Sequence, residues 1–95
     1  MTFTEHCNQS IATFGNSYDF VHRWLDEFAG IPPHGMRHRK FRHHLAGIDA
    51  VRALWGEEAA EAARQHIEAD IAQEGWTTKD HFPKDQDDYV KMGLF

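Results

Sequence analysis

Glycines at positions 15, 30, 56 and 75 each close a segment whose apolar residues recur every three or four positions, and this punctuation constrains the fold more than any other feature. Alternation of the β type is scarce, and there is no internal repeat, low-complexity tract or linker. The spacing predicts helices over about 4–13, 18–29, 36–55 and 57–74, with a short fifth running from Pro83 towards Met92. The expected fold is all-α: one domain over residues 1–95, a compact bundle of four main helices plus a short C-terminal helix.

Phe14-Gly15-Asn16 suits a left-handed turn after the first helix, and Ser17 is placed to cap the second. Phe20, Val21, Trp24, Leu25 and Phe28 form the second helix's apolar stripe. Ile31-Pro32-Pro33 cannot continue a helix and predicts a short connection. Phe41, Leu45, Ile48, Val51 and Trp55 mark the inner side of the third helix, with Arg52 beside them. Ala60, Ala63, Ile67 and Ile71 mark that of the fourth, where small residues permit close packing. The apolar tail, from Met92 to Phe95, is expected to dock on the bundle or on a second subunit.

With 41% apolar and 13% aromatic residues the chain is too rich to be disordered, and no apolar run approaches the roughly 18 residues of a membrane span. The opening MTFTEHCNQS has neither a basic n-region nor an apolar h-region, so a cytoplasmic location is expected. Cys7 is the only cysteine, which excludes an internal disulfide and any multi-cysteine zinc site. A metal would therefore have to be held by histidines and carboxylates. The formal charge is −5 with neutral histidines, and protonating all eight would take it to −5 + 8 = +3, so the sign of the charge depends on histidine titration near pH 6.

Two helices carry the same short pattern, His22-x-x-x-Asp26 and His66-x-x-x-Asp70, which puts an imidazole and a carboxylate one turn apart on one face. Such pairs on facing helices assemble metal sites in bundles, and the donor set suits Zn, Mn, Fe or Ni. The same spacing also makes an ordinary hydrogen bond or a solvated ion pair. On a helical wheel His22 and Asp26 fall away from the apolar stripe and His66 and Asp70 flank theirs, so both pairs are expected at an edge or cleft. In a continuous third helix His38 and His44 fall near the core stripe, while His43, Arg39 and Lys40 point elsewhere. The candidate ligands are therefore His22, Asp26, His38, His44, His66 and Asp70, with neutral, hydrogen-bonded core-edge histidines as the other reading.

Arg37, Arg39, Lys40 and Arg42 surround Phe41 in the basic stretch 34–44, where an anion or an acidic protein surface could dock. They can equally pair with the chain's own surplus of carboxylates, such as Asp19, Asp26, Glu27 and Asp70. An acidic total argues against nucleic acid as a partner. No Walker loop, GxGxxG, nucleophile elbow or cysteine–histidine set is present. Two classes of function follow. One is a metal- or anion-binding protein, with metal-dependent hydrolysis as its natural reaction. The other is a small phage- or host-encoded interaction or inhibitor module, acting on a protein partner or as a homodimer through the basic helix, with structural histidines.

His6 with Ser10, Phe14-Gly15, Tyr18, Val21-His22, Trp24-Leu25-Asp26, Arg37-His38-Arg39, Arg42-His43-His44, Gly47-Ile48, Trp55-Gly56, Gln65-His66 and Asp70 run in order from residue 6 to residue 70. In this pattern the chain resembles a small, histidine-rich bacterial and phage domain family of unknown function. RHRxxRHH followed by GI is its specific part. The chain departs from the pattern between Gly56 and Gln65, where an alanine-rich helical run replaces a longer polar, hairpin-like insertion. It departs again at Gly75-Trp76-Thr77-Thr78, which replaces a Gly-Ile-Pro-Thr segment. The resemblance implies which residues matter and names no reaction.

Overall fold

The computed structural model describes residues 1–29 and 35–94, with the backbone alone for 35–37. The expected helix stop at Gly30 and the Ile31-Pro32-Pro33 connection fall outside the described residues, as does the Arg37 side chain. The fold is all-α, with no strand among the described residues. Its helices are α1 (Phe3–Phe14), α2 (Asp19–Leu25), α3 (Leu45–Trp55), α4 (Glu57–Ala72) and α5 (Gln86–Lys91), and a 3-10 helix, Gly35–Phe41, lies between α2 and α3.

Local chemistry sets the boundaries. Thr2 and Glu5 close a reciprocal cap on α1: the Thr2 hydroxyl accepts from Glu5 N–H at 3.2 Å, and Thr2 N–H donates to Glu5 Oε1 at 3.1 Å. Gly15 ends the helix in the left-handed region at φ 75°, its N–H returning to Ile11. The cap of α2 differs from expectation. Tyr18, not Ser17, occupies that position, itself left-handed at φ 49° and held by its N–H on Asn16 Oδ1 and its hydroxyl on Glu58. Asp85 caps α5 by accepting from Asp88 N–H, so Pro83 precedes that helix instead of opening it.

The third predicted helix is not continuous. The 3-10 turn stops at Phe41, the chain turns through residues 42–44, and α3 starts afresh at Leu45 with His44 as its extended N-cap residue. Two interactions compensate for the break. The first N–H groups of α3 donate outside the helix, Leu45 to the Pro83 carbonyl at 3.0 Å and Ala46 to the Lys84 carbonyl at 2.9 Å. His44 Nδ1 accepts from Gly47 N–H at 3.2 Å. The turn presses the Arg42 carbonyl onto Gly47 so closely that a Cβ there would lie 1.9 Å from its oxygen.

α3 and α4 are joined by Gly56 alone, at φ 97°, and pack against each other, with the small residues Ala59, Ala60, Ala62 and Ala63 of α4 all buried. Val21, Leu25, Ile48, Val51, Ile67, Ile71 and Tyr89 complete the apolar core, and Leu94 of the tail packs against it. Phe20 and Trp55, expected inside, are about two-fifths exposed, and Trp24 and Phe28 are half-buried. The inner arc of α2 is shared with His22, which turns Phe20 and Trp24 to the rim.

Gly47→Ala is expected to destabilise the fold by about 3 kcal/mol, the upper end of an overpacking penalty, because the new methyl meets main chain that cannot rotate away. Thermal or urea unfolding of the variant measures it. A loss within the few tenths ordinary for a helix surface would show that residues 42–44 do not fold back as described.

Candidate metal centre

Among the described residues, eight polar side chains are buried beside the apolar core: His6, Ser10, His22, His38, His43, His44, His66 and Asp70. Seven of them, with Asp26, form one connected cluster; His44 caps α3 instead. His6 and Ser10 stand one turn apart on α1, His22 lies on α2 with Asp26 just past its end, His38 is in the 3-10 helix, His43 is in the turn before α3, and His66 and Asp70 are one turn apart on α4. Sequence-distant segments thus converge on a centre that is polar by construction.

Asp70 is its hub. Oδ1 accepts from His6 Nε2 at 3.2 Å and lies 3.6 Å from Arg39 Nη2 and 3.7 Å from the N-terminal ammonium. Oδ2 faces His43 Nε2 at 3.1 Å and His66 Nε2 at 3.2 Å. Asp26 faces the same space: Oδ1 lies 3.0 Å from His38 Nε2 and 3.4 Å from His43 Nε2, and Oδ2 lies 3.4 Å from His66 Nε2. Although His66 Nε2 is this close to two carboxylate oxygens, it is aligned to hydrogen-bond with neither. One atom from each of Asp26, His43, His66 and Asp70 thus falls in a group whose members all lie within 4.8 Å of one another.

A second trio, His6, His22 and His66, is also close. Its rings are nearly parallel, however: His6 stacks on His66 at 3.7 Å and 15°, and His22 is inclined to His66 by 19°. Imidazole lone pairs lie in the ring plane, so near-parallel rings do not aim them at a common point. This trio is better read as a chain of hydrogen bonds, with His66 Nδ1 and His22 Nδ1 2.9 Å apart and His22 Nε2 2.8 Å from Ser10 Oγ. His43 and His66 instead meet at 66°, an inclination that lets two lone pairs converge.

Electrostatics match the geometry. Burial raises the cost of ionising Asp26, yet the facing imidazoles of His38, His43 and His66 hold its carboxyl far below the usual carboxylate range. Asp70 is held low in the same way, against burial, by His43, His6 and His66. Burial lowers His66, but the carboxylates of Asp26 and Asp70 outweigh it and raise the imidazole overall. Burial together with charge on His66 and His6 pushes His22 down to about 4. Burial also lowers His6, with Asp70 opposing, and His44.

Of the six ligands expected from the sequence, the structure brings His22, Asp26, His38, His66 and Asp70 into one cluster and leaves His44 out of it. His22, His66 and Asp70 are interior, not at an edge or cleft, and His22 meets the carboxylates through His66. His43 and Arg39, expected to point elsewhere, both turn inward. His43 is fully buried, and Arg39 bridges Asp70 and Glu74. Arg42 donates to the Trp24 carbonyl and to Glu27, with its guanidinium over the Trp24 ring, and Lys40 lies over Phe41. His6 is named by the family pattern but not among the expected ligands. Its signal was a third i,i+4 polar pair, His6-x-x-x-Ser10, matching the two already noted. For His43 the signal was the pairing of His44 with Gly47 as a helix start.

The geometry defines a class: an all-α domain with a buried His/carboxylate centre able to hold a metal ion. Residues 1–92 match the family described as Domain of unknown function (DUF6915), and the chain belongs to that family. No curated protein and no solved structure matches it. Among the described residues no helix is long and apolar enough to cross a membrane.

The histidine shifts carry a pH dependence. His22, His6 and His44 are held neutral in the fold and take protons more readily once unfolded, so as pH falls below 7 they favour unfolding, His22 down to about 4. His66 acts in the opposite sense, favouring the fold as pH falls. Asp26 and Asp70 withdraw further stability as pH drops through the carboxylate range. Chelator-treated protein should therefore melt several degrees lower at pH 5 than at pH 7, and a higher melting temperature at pH 5 would mean that these imidazoles are charged in the fold.

Proposed function

We propose that this domain binds one divalent transition-metal ion through Asp26, His43, His66 and Asp70, with zinc as the first candidate. One observation carries the reading: the contacts of 3.1–3.4 Å between the two ring nitrogens and the carboxylate oxygens. Tetrahedral ligands at zinc distances of about 2.0–2.1 Å lie about 3.3–3.4 Å apart, and with one oxygen taken from each carboxylate three of these contacts come near edges of such a tetrahedron, Asp26 meeting the two nitrogens through different oxygens. The misaligned Nε2 of His66 supports it, because a ligand nitrogen aims at the ion between the oxygens and not at either oxygen.

The surrounding network suits ligation. With His66 Nε2 given to the ion, its Nδ1–H donates to His22 Nδ1, and His22 Nε2–H donates to Ser10 Oγ. Asp70 Oδ1 keeps His6 and Arg39 while Oδ2 serves the ion. Such an ion would supply Lewis acidity and an activated water, and metal-assisted hydrolysis is the reaction class we attach to it. A protein partner or a second copy is a separate proposal. Exposed Phe20, Leu54 and Trp55 offer apolar area for one, whereas Arg39 and Arg42, which a basic docking face would need, are engaged internally.

Elemental analysis of protein prepared without chelator tests the reading. The expected result is near one equivalent of metal in the native chain and in His44→Ala, and loss of that metal in His43→Ala and in His66→Ala. Ser10→Ala should weaken binding by about 10- to 100-fold, the range for groups that orient a ligand. A folded native chain that takes up no zinc, iron, manganese or nickel on titration would sink the proposal.

A further inference from the structure

We propose that Asp26 is the exchangeable ligand of this centre, and that the position it covers accepts a small monoanion such as hydroxide, azide or a short carboxylate. The inference rests on the metal reading above and concerns what the centre can do once loaded.

The four ligands are not held alike. His66 and Asp70 project from one face of the 16-residue helix α4, and with His43 their side chains are 0–2% exposed. Each is enclosed by protein. Asp26 sits past the end of the seven-residue α2, at its non-helical C-cap residue, and its side chain is 27% exposed. Solvent reaches the centre at this ligand. Asp26 also has an alternative partner already in place, since His38 Nε2 lies 3.0 Å from its Oδ1. A carboxylate leaving the ion would keep that hydrogen bond and not enter the apolar core unpaired.

The remaining set, His43, His66 and Asp70, is two imidazoles and one carboxylate. That donor set leaves open positions in metal enzymes, whereas a four-ligand closed site serves structure. Charge identifies what would fill the opening. A divalent ion with two carboxylates and two neutral imidazoles is neutral overall, and withdrawal of Asp26 leaves it at +1. A single negative charge restores neutrality, which favours a monoanion over a neutral or doubly charged ligand. Hydroxide in that position would be the nucleophile that hydrolysis requires.

The test uses the full chain loaded with cobalt(II), whose visible d–d bands report coordination, with sodium azide as the probe and metal content measured on the same samples before azide is added. The native protein should show a saturable spectral change with azide. Asp26→Ala and the closer-sized Asp26→Asn should keep cobalt and bind azide about tenfold or more tightly, since an internal competitor is gone. Asp70→Ala should lose cobalt. His38→Ala should retain cobalt but bind azide more weakly, because the displaced carboxylate has lost its hydrogen-bond donor. Stoichiometric cobalt with a spectrum indifferent to excess azide overturns the inference and leaves a closed structural centre. Loss of cobalt from both Asp26 variants, with helical circular dichroism intact, overturns it as well. If the native chain binds no cobalt, the metal reading fails first, and the metal content shows this independently of any azide response.

Discussion

Asp70 is almost completely withdrawn from water, and both of its oxygens are surrounded by nitrogen: His6 from α1, Arg39 from the 3-10 helix, His43 from the turn before α3, and His66 one turn back on its own helix. A carboxylate in such a place is costly unless it is fully compensated. The compensation comes from segments that share no local sequence, so satisfying this one charge brings α1, the 3-10 helix and the α3 turn to α4. Asp26 extends the same logic to the end of α2 through His38, His43 and His66.

This polar centre explains an otherwise sparse core. Apart from Tyr18 and Tyr89, the buried apolar side chains are aliphatic, four of them alanines, while several of the chain's largest rings sit on the rim. The alanines are small, and the interior space that larger side chains would fill is given to imidazoles that stack and hydrogen-bond. A domain of this size has little apolar burial in reserve. An ion bound only by the folded state would add stability by mass action, in the same place where the carboxylates now depend on histidine protons.

What the sequence made legible follows from range. Helix periodicity and the glycine stops are local properties, so the helices and their approximate ends could be read directly. The pairs His22/Asp26 and His66/Asp70 were visible for the same reason, since one turn of helix brings each together. His43 was hidden because its direction depends on a break at residues 42–44, and that break is stabilised by carbonyls about 40 residues further on. Each residue of an assumed helix adds about 100° of rotation, so a continuous 36–55 helix turned His43 outward and put His44 in its place. His6 stands in the family pattern, but its place beside Asp70 was hidden because that partner lies 64 residues away.

The carbonyls of Pro83 and Lys84 that receive the first N–H groups of α3 also set an order of assembly. During synthesis α1, α2 and α4 can form from residues already made, but α3 cannot finish its first turn, nor the preceding residue His43 settle against Asp70, until the chain has been made past residue 84. The centre therefore waits on residues that carry none of its side chains.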